Sequence, residues 1–531
     1  MSSDGLVRRA LPQSVEVFDT TLRDGSQLEG ISLTVDDKLR IAEQLDQLGL
    51  HYIEGGWPGA NPKDEEFFRR AKTELKLETS TLVAFGSTRR KLGKVDSDDT
   101  LRHLVEADTS VVCIVGKCWD YHVTEALETT LDEGVAMVAD SVEFLRGTGR
   151  RVLFDAEHFF DGYKRNAEFS LRVLEAAAER GADTLVLCDT NGGSLPHEVE
   201  RIVSEVAEYL GDDVIVGIHT HDDTGCGVAN AVAAVLGGAR HVQGTINGYG
   251  ERTGNCNLTT TIANLSLKLG VATIPAERLE LLTGVSHHIS ELVNITLNPQ
   301  AAYVGTSAFA HKAGLHVSAI AKRPDAYEHI NPDLVGNGTR FLVSELAGKS
   351  ALQIKARELG IEADGPTLNE IVDTLKRLEH EGFHFEAADG SLELLMRRAA
   401  GWEQSYFRME SFRVITDERE GELTTEATIK VHVGEERFVT TAEGNGPVNA
   451  LDAALRLAIG SKYPALAQVH LTDYKVRVLD TSKGTGAVTR VLLDSTDGER
   501  SWTTIGVSEN IIEASWQALS DSVVYGLLHN A

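Results

Sequence analysis

His219-Thr220-His221-Asp222-Asp223 places two imidazoles at i and i+2. On a strand such residues share a face, so both rings can converge on one cation. Two histidines and one carboxylate leave coordination positions open for a substrate, as catalytic metal sites require. The carboxylate is on offer in Asp19-Thr20-Thr21-Leu22-Arg23-Asp24-Gly25-Ser26-Gln27. Asp24 can supply an oxygen ligand, and Arg23 sets a fixed positive charge beside it. That guanidinium can bind a carboxylate or stabilise a developing oxyanion. Each motif alone also has a plain structural reading: a buried histidine pair, and a strand-end turn around Asp24-Gly25. Asp/His donors without a thiolate suit Mg²⁺, Mn²⁺ or Zn²⁺.

Other residues could join such a site. Glu157, in Asp155-Ala156-Glu157-His158, could orient a substrate or move protons, or it could cap a helix. Thr190 could hydrogen-bond a carboxylate or serve as an N-cap. Asn255, in Gly250-Glu251-Arg252-Thr253-Gly254-Asn255, could give a neutral oxygen ligand or shape a turn. Lys117 reads as a salt-bridge residue, with a modified lysine as the alternative. Farther along, His311 and His316 lie five apart and would diverge on a helix. One of them could act as a general base at a barrel mouth, its own or a partner's, with Tyr327 assisting.

These residues need a scaffold that brings them together. Apolar, β-branched runs recur at 15–19, 51–56, 80–86, 110–116, 151–157, 184–190, 214–221 and 241–248. Amphipathic segments such as 36–49 and 166–181 separate them, each ending in a glycine that reads as a C-cap. The runs alternate little, as expected for strands buried on both faces. Eight strand–helix units predict a (β/α)8 TIM barrel, with a doubly wound open sheet as the alternative. Barrel enzymes carry their chemistry at the C-terminal ends of the strands. Arg23, Asp24, Glu54, Lys117, Glu157, Thr190, His219, His221 and Asn247 all fall there.

The expected domains are a barrel over 1–275, helical linker subdomains over 276–404 and an α+β module over 405–531. The last contains a weak repeat at an offset of about 62 residues, in which two βββα units align. Ser411–Ile415 matches Asp473–Arg477, and Ala450–Ile459 lines up with Ile512–Asp521. Gly444-Asn445-Gly446-Pro447-Val448 opens the first repeat helix in a way that suits a ligand or partner at its N-terminus.

Bulk properties narrow the classes. The chain has 531 residues and a net charge of −29, which argues against nucleic acid or an anionic membrane as main partner. No run of 18 apolar residues occurs and no secretory leader is read, so a cytoplasmic location is expected. Five cysteines without a CxxC speak against a disulfide framework or zinc ribbon.

Taken together, DTTLRDGSQ, HTHDDTG, GERTGN, FAHKAGLHVSA and YEHINPDLVGN resemble the isopropylmalate, homocitrate and citramalate synthase group of the DRE-TIM metallolyases. Residues 52–68 and 154–166 are most similar to its citramalate synthase branch. The resemblance implies a Claisen-type condensation of acetyl-CoA with a 2-oxo acid: pyruvate in the leading reading, 2-oxoisovalerate in the runner-up. It implies Asp24, His219, His221 and Asn255 as the metal set. Arg23 would act at the oxo group, Thr190 and Gln27 in substrate binding, and Glu157, His316 and Tyr327 in catalysis. It further implies a homodimer and an amino-acid effector, isoleucine being the candidate, at the C-terminal module. Ser26 departs from the glutamate usual in leucine-pathway relatives, and Ser318 from the acid of some others. The reading from a different class is a non-catalytic amino-acid sensor on an inert barrel.

Overall fold

The computed structural model describes residues 10–311, 319–320, 323, 327–341, 349–419, 421–479 and 481–530. Two compact units divide the chain: Met1–Phe309 with Ile330–Gly338, and Ala310–His329 with Thr339–Ala531.

The first unit is built on eight strands: β1 (Glu16–Asp19), β2 (Tyr52–Gly56), β3 (Thr81–Ser87), β4 (Val111–Lys117), β5 (Arg151–Glu157), β6 (Thr184–Asp189), β7 (Ile215–Thr220) and β8 (His241–Gly244). All pair in parallel, and β8 closes on β1. Closure decides between the barrel and the open sheet. Helices α1 (Val35–Leu48), α2 (Pro62–Glu74), α3 (Asp99–Glu106), α4 (Leu131–Gly147), α5 (Phe159–Glu179), α6 (Pro196–Leu210), α7 (Gly227–Leu236) and α8 (Leu258–Ala263) follow the strands in turn.

The period of two along each strand sorts the side chains. Val17, Ile53, Val112, Phe154, Leu187 and Ile218 point outward into the sheath beneath the helices. Phe18, Tyr52, Phe85, Cys113 and Leu153 point inward and form a separate interior cluster. Followed one step further, the inward rows of β2, β5, β7 and β8 reach Glu54, Asp155, His219 and Gln243, all buried. The barrel is thus apolar through its middle and polar at the C-terminal end of its strands.

Helix signals read from the sequence have physical counterparts. Thr34 and Asp37 form a capping box on α1, and Gly49 ends it with φ +90°. The expected segment 166–181 is the second part of α5, which begins earlier, at Phe159. Asn166 breaks the helix at φ −148° and ψ 75°, and its side chain accepts from the Phe169 N–H at 3.2 Å. It therefore caps the stretch whose periodicity is visible in the sequence.

The second unit holds a two-stranded parallel pair, β9 (Ala310–His311) and β10 (Arg340–Phe341). Helices α10 (Lys349–Glu358), α11 (Gly365–His380) and α12 (Asp389–Ala399) follow, after α9 (Leu282–Leu292) of the first unit. Next come β11 (Arg408–Arg419), β12 (Glu422–Val433), β13 (Glu436–Gly444) and α13 (Pro447–Ile459). The repeat is β14 (His470–Val478), β15 (Thr489–Thr496), β16 (Ser501–Ser508) and α14 (Ile511–Asn530). Each triplet is an antiparallel sheet. Both first strands are bulged at matching places, between Met409 and Ser411 and between Leu471 and Asp473. The two βββα repeats share one core around Ile429, Leu451, Leu493, Trp502 and Leu519. Ile505 of β16 also packs into the core of α10–α12, so the expected boundary at 404/405 falls inside this compact unit.

Candidate active site

The turn after β1 is held by its own side chains. Buried Asp19 accepts from the Thr21 N–H at 2.9 Å, the Thr21 hydroxyl at 2.8 Å and the Ile246 N–H at 3.2 Å. Burial pushes its carboxyl up to about 7 against those bonds. Thr20 donates to Glu54 and accepts from the Asp24 N–H at 3.3 Å. The guanidinium of Arg23 is clamped from three sides. Its Nε donates to Glu54 at 2.6 Å, its Nη1 lies 3.3 Å from Asp24 Oδ2, and its centre sits 3.8 Å from the centroid of the Phe85 ring.

Asp24, His219 and His221 meet at the ends of β1 and β7. Their ligand atoms all lie within 4.8 Å of one another, and all three side chains are buried. The two Nε2 atoms face each other at 3.3 Å, and His219 Nε2 is 3.5 Å from Asp24 Oδ2. Burial pushes His221 down to about 4, with His219 adding to the effect, so the imidazole is neutral and free to donate a lone pair. Burial alone would raise the Asp24 carboxyl; Arg23 first, then the two histidines, hold it below its usual value.

Asn255 pairs with His221 through a short antiparallel bridge, and its amide donates to the Tyr249 carbonyl at 3.2 Å. Its Oδ1 is buried with no hydrogen-bond partner among the described residues, as is His221 Nδ1. Glycine is required around it. At Gly250, φ +150°, a Cβ would lie 2.1 Å from Asn255 Nδ2. At Gly254, φ +98°, it would lie 2.0 Å from the Gly248 carbonyl. Arg252 staples the neighbouring loops, donating to both Asp223 oxygens at 2.7 and 2.9 Å and to the Thr190 carbonyl at 2.8 Å. Two imidazoles, a carboxylate and an unpartnered amide oxygen form a donor set that fits a divalent cation.

The other expected residues fall as follows. Glu157 and Lys117 stand opposite each other at the ends of β5 and β4 and form an ion pair, the plain reading of Lys117. Thr190 caps no helix; its Oγ1 accepts from the His158 N–H at 2.9 Å, which leaves the hydroxyl proton to donate. Gln27 is exposed at the β1 turn and lines a cavity of about 550 Å³ with Arg23, Ser26, Trp57 and Lys63. In the second unit Tyr327 is 48% exposed. His311 lies 3.6 Å from the buried carboxylate of Glu328. His316 lies outside the described residues.

Sequence reasoning passed over Asp155 and Gln243. His219 Nδ1 lies 2.8 Å from Gln243 Oε1, and Gln243 Nε2 donates to Asp155 Oδ1 at 3.0 Å. The available signal was parity. Asp155 precedes Glu157 by two on β5 and therefore shares its inward face.

Comparison with known proteins agrees with this geometry. Residues 14–285 match the HMGL-like family model, 303–382 the homocitrate synthase post-HMGL domain-like model, and 386–527 the LeuA allosteric (dimerisation) domain model. The (R)-citramalate synthase of Aquifex aeolicus (strain VF5) is 53% identical over 98% of each chain. That of Streptomyces coelicolor is 52% identical, over 98% of this chain and 97% of the relative. A probable 2-isopropylmalate synthase of Methanopyrus kandleri is 33% identical, over 96% of this chain and 97% of the relative.

Proposed function

This chain belongs to the (R)-citramalate synthase family, and on that premise we propose the following course for its reaction. The enzyme condenses acetyl-CoA with pyruvate to give (R)-citramalate and CoA. The observation that carries this reading is Arg23, a clamped cation, standing directly beside the Asp24–His219–His221 cluster. Such a pairing suits a small acid with an adjacent ketone.

Asp24, His219, His221 and Asn255 would hold the divalent cation, which when bound supplies Lewis-acid polarisation to the acceptor's carbonyl. Thr190 donates its hydroxyl proton to the acceptor's carboxylate, and Gln27 sits at the edge of the same mouth. A base removes a methyl proton from acetyl-CoA; Glu157, His316 and Tyr327 are the residues proposed to handle protons. The resulting carbanion equivalent forms a carbon–carbon bond to C2 of pyruvate. The ketone oxygen takes up negative charge beside Arg23 and is then protonated. Water finally cleaves the thioester, releasing CoA as the thiol and making the sequence effectively irreversible.

Release of CoA thiol, followed with each acceptor, tests the assignment. Pyruvate is expected to give the higher kcat/KM. One aliphatic branch changes binding by about 1–3 kcal/mol, so discrimination of roughly 10–200-fold is expected. A preference for 2-oxoisovalerate would instead make the enzyme a 2-isopropylmalate synthase.

The C-terminal repeat is proposed to form the homodimer and to bind an amino acid, isoleucine being the candidate. The enzyme is proposed to work in the cytoplasm; no helix among the described residues is long and apolar enough to cross a membrane. Titrating isoleucine against the full chain is expected to lower the rate and raise the melting temperature together. A rate indifferent to every branched-chain amino acid counts against the effector.

A further inference from the structure

The inward face of the barrel carries a buried polar chain of which the reaction scheme uses only the first residue. It runs from His219 on β7 through Gln243 on β8 to Asp155 on β5. These side chains are 5%, 1% and 3% exposed, so water does not compete for their hydrogen bonds. We infer that Asp155 and Gln243 are positioning residues: together they fix the proton of His219 on Nδ1 and present its Nε2 to a divalent cation. The inference rests on the reading of His219 as a metal ligand.

The argument is one of donor and acceptor polarity. A carboxylate only accepts hydrogen bonds, whereas a glutamine amide has one donating and one accepting end. Asp155 Oδ1 is 3.0 Å from the Gln243 amide, so the nitrogen end must face it. The oxygen end then faces His219 Nδ1 at 2.8 Å and can only accept. Nδ1 must therefore carry the imidazole proton. Nε2, 3.5 Å from Asp24 Oδ2 and 3.3 Å from His221 Nε2, is left with a lone pair. The positive charge of Arg23 acts on Asp155 from the same end of the barrel. Partners of this kind behind a ligating histidine set its tautomer and ring orientation. Here a neutral amide stands between the histidine and the carboxylate, so polarity is passed on without a second negative charge against the imidazole.

A packing role for the same residues is separable from this one, because the decisive substitutions are isosteric. Mn²⁺ titrated calorimetrically into the metal-depleted full chain supplies the main readout. Asp155→Asn gives Gln243 a neighbour with both donor and acceptor ends, and the amide is free to reverse. Mn²⁺ affinity is expected to fall about 10–100-fold. The double variant Asp155→Asn/Gln243→Glu restores the polarity. The carboxylate now accepts from His219 Nδ1–H, and the amide at 155 donates to it. Most of the lost affinity should return. Nitrogen-15 spectra of the metal-free proteins, with His219→Ala identifying the signal, should show Nδ1–H in the wild type and mixed tautomers in Asp155→Asn. Unchanged Mn²⁺ affinity in Asp155→Asn overturns the inference, as does a double variant that binds no better than the single one. Both results leave the metal site standing as long as His219→Ala impairs Mn²⁺ binding. If His219→Ala binds Mn²⁺ like the wild type, the metal-site reading itself fails.

Discussion

The barrel and the C-terminal repeat bury opposite kinds of surface. At the end of the barrel strands Asp19, Asp24, Glu54, Asp155, His219 and His221 are all at most 5% exposed. In the repeat the shared core is apolar, built on Ile429, Val431, Leu493, Trp502 and their neighbours, and ion pairs such as Glu410–Arg437 lie on the surface of its sheet. Buried charge costs folding free energy unless it is paired and hydrogen-bonded. The barrel meets that cost with Arg23, with the hydroxyls of Thr20 and Thr21, and with the backbone N–H groups of Thr21 and Ile246. Such an investment makes sense where chemistry requires preformed charge. The apolar core of the repeat suits the association module proposed above.

The sharpest way to break this contrast is to replace the barrel's central guanidinium. Arg23→Lys keeps a charge but loses the planar fork that meets Glu54, Asp24 and the Phe85 face at once. We expect kcat for pyruvate to fall by about 10²–10³, the range for losing one oxyanion donor, with a smaller change in KM. A lysine variant with wild-type kcat would show that the clamped geometry is dispensable. The complementary change is Leu493→Ala in the repeat, which hollows the apolar core at a residue only 1% exposed. It should cost about 2–5 kcal/mol in denaturant titrations that follow this unit. Mn²⁺ affinity at the barrel should be unchanged. Coupled loss of both would mean that the two regions are not divided as their interiors suggest.

The same contrast explains what was legible in the sequence. Strand runs, the HxH spacing and the RD pair survive in one dimension because each is a local pattern. The 62-residue repeat was visible for the same reason, and the matched bulges at Met409/Ser411 and Leu471/Asp473 give it a structural counterpart. Glu54 was marked by its place at a strand end, but its grip on Arg23 spans 31 positions of chain. Asp155 and Gln243 are 88 residues apart and meet only because the barrel closes. The early start of α5 was hidden because the kink at Asn166 resets the helical phase. Short-range patterns report elements; the groups that orient the candidate site are long-range contacts between elements.

The smallest expected effect lies on the surface of the repeat, where charge is exposed rather than buried. Glu410 on β11 accepts from Arg437 on β13 at 2.7 and 2.9 Å, and His432 on β12 is 3.0 Å away. Arg437 first, then His432, holds the Glu410 carboxyl down to about 2. An unfolded glutamate titrates near ~4.3. The folded value is the lower one, so the unfolded chain binds the proton more tightly. The contribution to stability is therefore fully present above about pH 4.5 and is lost as pH falls toward 2. Glu410→Gln removes the titrating group and should flatten that part of the melting-temperature profile while leaving neutral pH nearly unchanged. Because the pair is exposed, about 0.5 M salt should shrink the difference between the two proteins. Identical acid slopes for wild type and variant would show that this surface pair contributes nothing measurable. The contrast with the barrel's buried charges would then be wider than the distances alone indicate.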